Sequence, residues 1–274
     1  MVHVHLTSAA LMAFVATVGM TGVPARADEL SNEALAKLAQ NPVGNLISVP
    51  FQNNTNFNVG PDRGVQNILN IQPVVPFGIG EQWNVITRTI LPVIANPSLG
   101  AAAGAVNGLG DLQFTAFLSP AQPGSWIWGV GPIVQVPTHT SRILGNDNLG
   151  LGPSGVLLHL DKGDPWVYGA LVNNVWSLGT NPSAPAYSNG LVQLFINYNF
   201  KEGFYLNSSP IITMNWLAAT NQQLTLPLGG GVGKIFHLGK LPVNAQLGAY
   251  YNVVRPDFGP EWQVRAQVQF MFPK

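Results

Sequence analysis

The sequence predicts an all-β fold: a closed antiparallel transmembrane β-barrel of about twelve strands, preceded by a short N-terminal helix. Three observations carry the prediction. The last stretch, EWQVRAQVQFMFPK (261–274), alternates strictly. Trp262, Val264, Ala266, Val268, Phe270 and Phe272 form an apolar set; Gln263, Arg265, Gln267, Gln269 and Met271 form an almost wholly polar one. Successive strand side chains point to opposite faces, so the two faces meet different surroundings. Second, only 9% of residues are charged, against roughly 25% in ordinary soluble domains. The polar face therefore carries amides and hydroxyls where a soluble sandwich would turn Lys and Glu to water. Third, the extended runs are joined by tight turns at one end and mostly longer loops at the other, the pattern of outer-membrane barrels.

In chain order, the first element is an apolar stretch, AALMAFVATVGM (9–20), followed by VPARA (23–27), which ends in an A-x-A site before Asp28. Residues 1–27 are expected to be a signal peptide directing export to the bacterial outer membrane. The stretch is too short to span a bilayer as a helix. Its leading segment carries His3 and His5 in place of Lys or Arg, which leaves the true start codon open. Residues 28–45 are expected to be a periplasmic lead-in. Within it DELSNEALAKLAQ (28–40) reads as a helix, with Ser31 as N-cap, acid in the first turn, Lys37 later and Asn41-Pro42 ending it. Its shortness suits a lead-in or a small occupant of the lumen.

The barrel is expected over 46–274. Its strands are predicted at 46–58, 65–77, 83–95, 109–119, 126–138, 150–161, 166–178, 190–200, 204–216, 222–236, 242–254 and 261–273. Each reaches the roughly 9–11 residues a tilted membrane-spanning strand takes. GIGEQ, AQPGS, DKGDP, KEG and LGKL are tight turns; NPSLGAAAGAVNG, HTSRILGNDNLG, GTNPSAPAYSN and LAATNQQ are longer; GPDRG and RPDFGP are shorter joins on the long-loop side. An even strand count puts both termini at the tight-turn end, the periplasm. Alternation recurs in 190–200, 204–216 and 242–254, while 83–95 and 166–178 alternate poorly. Trp83, Trp126, Trp128, Trp166, Trp176, Trp216, Tyr251 and Trp262 fall near strand ends, as two interfacial girdles require. Charge is nearly confined to loops; Arg88, Lys234, Arg265 and Asp161 are the strand exceptions. A charge facing lipid at mid-membrane costs about 2–4 kcal/mol, which explains the distribution.

Several chemistries are excluded. Formal net charge is zero, so no nucleic-acid partner is implied. There is no cysteine, hence no disulfide, thiol catalysis or thiolate-bound metal. GGGVGK (229–234) fails as a phosphate loop, because Leu228 stands where a glycine is needed and Ile235 where Ser or Thr is. Those glycines are read as bending a strand. His139, His159 and His237 lack metal-ligand spacing, and His159 and Asp161 read as a strand-end pair facing water. No cofactor or metal is expected. An enzyme alternative rests on His139-Thr140-Ser141 with Asn146 and Asn148 downstream, which echoes the His, Ser and Asn of a barrel phospholipase. A structural or adhesive barrel is the third class.

If the polar faces line a lumen, the pore-lining candidates are Arg88, Arg265, Gln263, Gln267, Gln269, Asn197, Asn244 and Gln246. The facing of Arg88 is ambiguous, since Ile86 and Ile90 share its parity. Twelve strands give a bore between filled eight-stranded barrels and open sixteen-stranded porins. The low charge favours neutral or weakly polar cargo. Phe270 and Phe272 suit the terminal signal read by the outer-membrane assembly machinery, with Pro273-Lys274 trailing beyond it. Expected partners are outer-membrane lipid, small-molecule solutes and that machinery.

LAQNPVGNLISVPFQNNTNFNVGPDRGVQNILNIQPVVPF (38–77) also resembles a known family, as do WNVITRTILPVI, GLGDLQFTAFLSP, WIWGVGPI, LGLGPSGVLLH, WVYGALVNNVWS and GPEWQVRAQVQFMFPK. Together these are similar to the bacterial outer-membrane transporters associated with phenol-degradation pathways, some of which carry the mistaken label neuromedin U. The resemblance implies a β-barrel channel or transporter for aromatic or other small organic compounds. HTSRILGND, in the third connection on the long-loop side, is individual to this chain.

Overall fold

The computed structural model describes residues 30–100 and 104–273. The expected signal peptide, 1–27, lies outside the described residues. The helix α1, Asn32–Ala39, begins where the sequence predicts: Ser31 is the N-cap, and its hydroxyl accepts the Ala34 N–H at 3.2 Å. An i,i+4 ion pair, Lys37 Nζ to Glu33 at 3.1 Å, lies along the helix.

Twelve antiparallel strands follow: β1 Ile47–Val59, β2 Gly64–Ile71 resuming as Val74–Ile79, β3 Trp83–Asn96, β4 Val106–Leu109 resuming as Leu112–Pro120, β5 Trp126–Val136, β6 Gly150–Leu160, β7 Trp166–Ser177, β8 Ser188–Asn199, β9 Phe204–Ser208 resuming as Ile211–Asn215, β10 Leu224–Leu238, β11 Leu241–Val254 and β12 Trp262–Phe272. Each strand pairs with the next, and β12 returns to β1 from Ile47↔Phe272 to Phe57↔Trp262. Closure leaves no strand edge, the condition for β-structure in hydrocarbon. Boundaries differ from the sequence reading by a few residues; β10, expected at 222–236, runs as Leu224–Leu238.

Three strands carry breaks that periodicity does not announce, at Gln72-Pro73, Gly110-Asp111 and Ser209-Pro210. Proline lacks the N–H a ladder needs, which accounts for two of them. Beside each break a polar group is used inside. Gln72 accepts from Arg88, Asp111 binds His139, and the Ser209 carbonyl accepts from Arg265.

The outer face is an apolar band. Val65, Phe114, Val130, Leu157, Val172, Ile196, Leu228, Leu247 and Val268 stay exposed, which suits lipid and not water. Trp83, Trp126, Trp128 and Trp166 ring the tight-turn end, and Trp83 packs edge-on to Trp128 at 6.0 Å. Trp176, Trp216, Tyr251 and Trp262 ring the long-loop end, where the Tyr251 and Trp262 rings lie 4.7 Å apart. One polar trio interrupts the outer band. Asn53 and Asn67 exchange amide hydrogen bonds at 2.8 and 2.9 Å, and Thr55 accepts from Asn67 at 3.0 Å, so the trio is satisfied internally.

Candidate functional site

The lumen has two unlike walls. From β3 to β8 the inward residues include one large buried apolar cluster, Ile86, Phe117, Ile127, Val156, Leu158, Val167, Leu171 and Phe195 with Val43 of the lead-in, set among Asn84, Arg88, Thr115, Ser154 and Asn197. From β9 through β12 to β1 and β2 they are mainly amides, hydroxyls and a guanidinium, with Ile235, Val243 and Met271 among them toward the tight-turn end. On that side a one-way hydrogen-bond chain runs from Gln246 to Tyr205 (2.6 Å), Tyr205 to Asn244 (2.7 Å), Asn244 to Gln269 (3.2 Å) and Gln269 to Ser48 (3.1 Å). Tyr205 has room to lie across the neighbouring strand β10 and reach β11 because Gly233 is its register partner; a Cβ there would lie 2.2 Å from the Tyr205 ring. The GGGVGK glycines thus sit inside the continuous strand β10, and Gly229 and Gly231 lie against the β11 backbone.

Cavities run through the lumen between these walls. Beneath the long loops lie spaces of about 340 Å³, lined by Asp111, Gln135, Tyr187 and Asn215, and about 460 Å³, lined by Gln113, Asn173, Thr213 and Gln223. They adjoin a space of about 270 Å³ bounded by Arg88, Ile90, Phe117, Leu171 and Gln193. That in turn meets a space of about 110 Å³ above α1, lined by Gln72, Arg88, Phe195, Gln246, Arg265 and Gln267. Neighbouring cavities share lining residues, and the space narrows toward α1.

Of the residues singled out from sequence, Arg88, Arg265, Gln246, Gln267, Gln269 and Asn197 meet at the narrow cavity. Gln263 and Asn244 also turn inward but serve as braces. Gln263 accepts from Arg265 at 2.9 Å and donates to Asn56 at 2.9 Å, while Asn244 is fully buried in the hydrogen-bond chain. The guanidinium of Arg265, 6% exposed, donates to Asn54 at 3.1 Å and to the Ser209 carbonyl at 2.7 Å, and stacks 4.6 Å over the Tyr250 ring. Arg88 donates to Gln72 at 2.5 Å. Tyr205 and Tyr250 are the residues that sequence reasoning misses; both are fully buried.

Each mouth is partly filled. At the tight-turn end, Leu35 and Ala36 of α1 pack against Leu46, Tyr205, Ile235 and Met271. Gln40 and Asn199 exchange amide hydrogen bonds at 2.8 and 3.2 Å, tying the end of the helix to β8. At the other end, the loops 137–149 and 178–187 are stitched together. Asn181 N–H donates to the Asn148 side chain at 2.7 Å, and Asn146 donates to the Pro185 carbonyl at 3.0 Å. Tyr187 donates to the Asn148 carbonyl at 3.2 Å, and burial, then the charge of Asp111, push its hydroxyl up to about 12.

His139 anchors the first of these loops. Its Nδ1 meets Asp111 at 2.6 Å and its Nε2 meets Asp147 at 3.1 Å. Both ring nitrogens are therefore occupied by carboxylates, leaving neither for Ser141, and Asn146 and Asn148 bind loop backbone instead of orienting the ring. This is a fastening, not the hydroxyl–imidazole pair that nucleophilic catalysis requires. His159 also departs from expectation: its ring does not face water beside Asp161 but lies between Tyr168 and Trp126, at 4.9 and 5.0 Å, because the aromatic girdle surrounds it.

On the outer surface, β5 to β9 hold an apolar depression of about 1040 Å³ lined by Val130, Leu151, Val172, Trp176, Met214 and Trp216. Asn173 and Leu191 border both this depression and the lumen cavities.

No family model and no curated protein matches the sequence. In fold, the chain is similar to an outer-membrane channel from Pseudomonas putida F1, with a TM-score of 0.62 at 17% identity over 84% of this chain and 96% of that one. It is also similar to the NanC porin, with a TM-score of 0.51 at 10% identity over 83% of this chain and 100% of that one. A weaker likeness, TM-score 0.44 at 13% identity over 89% of this chain and 99% of that one, reaches the outer membrane phospholipase A from Escherichia coli. What is shared at these identities is the barrel of bacterial outer-membrane proteins.

Proposed function

We propose that this chain is an outer-membrane channel or facilitator for small, neutral or weakly polar solutes, aromatic compounds among them. In this reading Arg88, Arg265, Gln246, Gln267, Gln269 and Asn197 line the path, and Gln263 and Asn244 brace it.

The observation that carries the reading is the run of adjoining cavities between an apolar wall and an amide wall. An apolar ring finds a dry surface on one side, and a hydroxyl or carbonyl finds partners on the other. The likeness in fold to a channel and a porin, and the resemblance of 38–77 and the later stretches to transporters of phenol-degradation pathways, support the same role. Residues 1–27 then direct export, the tight-turn end lies in the periplasm, β12 is presented to the assembly machinery, and α1 is a stopper.

The test is swelling of liposomes carrying purified protein in arabinose, alongside single-channel recording. Wild type is expected to conduct weakly. Leu35→Glu, which places a charge in the apolar seat of α1, is expected to raise conductance several-fold. Absence of swelling and conductance in both proteins overturns the reading.

A further inference from the structure

We propose that the lumen contains a binding site for a small amphiphilic carboxylate. Its anion sits at the cavity that Arg88 and Arg265 share, and its apolar body lies against Phe195, Phe117, Ile90 and Leu171. The proposal rests on the channel reading only in that this site lies on the path.

The charges make the case. Among the described residues, no carboxylate lies within ion-pair distance of either guanidinium. Arg265 is held by neutral oxygens of Asn54, Gln263 and Ser209, which fix its fork without cancelling its charge. Gln72 takes one of the five N–H groups of Arg88. Asp111 borders the adjoining cavity, but His139, the Asn146 N–H and Gln135 already engage it. Two cations bordering one confined space favour an anion there, and a guanidinium presents the paired donors that match a carboxylate. Phe195 borders the same space, and Phe117, Leu171 and Ile90 border the adjoining one that Arg88 also lines, so an inorganic anion satisfies only half of the pair. A neutral alcohol of equal size satisfies the other half and leaves the charges unanswered.

The experiment is calorimetric titration of the folded protein in detergent with benzoate and with benzyl alcohol, each corrected against empty micelles. Benzoate is expected to bind at least tenfold more tightly. Arg88→Gln is expected to lose at least tenfold of benzoate affinity and little of that for benzyl alcohol, with Arg88→Lys between. Equal affinity for the two probes on the native protein overturns the proposal, and that comparison needs no variant to fold. So does unchanged benzoate affinity in a folded Arg88→Gln. Arabinose swelling without benzoate preference removes the site and keeps the channel. Benzoate preference without swelling in wild type or Leu35→Glu keeps the site and removes the channel.

Discussion

From β3 to β8 the inner face of the barrel carries its large apolar cluster, with Asn84, Arg88, Thr115 and Asn197 set into it, whereas from β9 round to β2 it is dominated by amides, hydroxyls and Arg265, with a smaller apolar patch at Ile235 and Met271. The first wall holds by burial, which is non-directional and grows with apolar area. The second holds by a directed chain from Gln246 to Ser48, in which each group donates to the next. Packing tolerates small shifts poorly because it fills space; the chain tolerates loss of a link poorly because a buried polar group is left unpaired.

The comparison is most exposed to failure at Phe117, which is 1% exposed in the centre of the apolar cluster. Phe117→Ala is expected to lower stability by about 3–5 kcal/mol in urea unfolding from lipid vesicles. Tyr205→Phe keeps the ring but strands Asn244 and Gln246, and is expected to cost about 1–3 kcal/mol in the same assay. A larger loss at Tyr205 than at Phe117 reverses the ranking of the walls. The smallest effect lies above the polar wall, in the loop end. There the amide of Asn58, then Arg63 and Arg255, hold the Glu261 carboxyl below its ordinary value. A depressed folded value means that this stabilisation is complete above the unfolded pKa and is lost as pH falls through the folded one. Glu261→Gln is expected to remove that part of the acid sensitivity and leave stability at neutral pH slightly lower, as read from urea midpoints across pH.

The two walls also differ in how readable they are. In β12 every second residue changes character, because lipid lies on one side and an amide-lined space on the other, so Gln263, Arg265, Gln267 and Gln269 declare their facing. In β3 and β7 both sides carry apolar residues, with Asn84, Arg88 and Asn173 breaking the inner rows. Ile86, Val167 and Leu171 turn inward with no contrast to mark them, which is why 83–95 and 166–178 alternate poorly and why sequence alone leaves Arg88 ambiguous. It faces inward with Ile86 and Ile90. The strand breaks escape periodicity altogether, although Pro73 and Pro210 are signals that a ladder must be interrupted. Gly110-Asp111 carries no such mark. The seat of Ser31 at the head of α1 is legible because capping is local, while the contact of that helix with Met271 joins opposite ends of the chain and leaves no local trace.

That last contact ties the helix to the seam where the barrel closes. Leu35 and Ala36 rest on a surface assembled from Leu46 at the beginning of the barrel, Tyr205 and Ile235 late in it, and Met271 three residues before its end. The seam between the last strand and the first completes this seat, while Gln40 reaches Asn199 and Lys37 the Asp161 carbonyl, so the cork is gripped from the far side of the bottle as well and its hold is tightest only when the neck has closed.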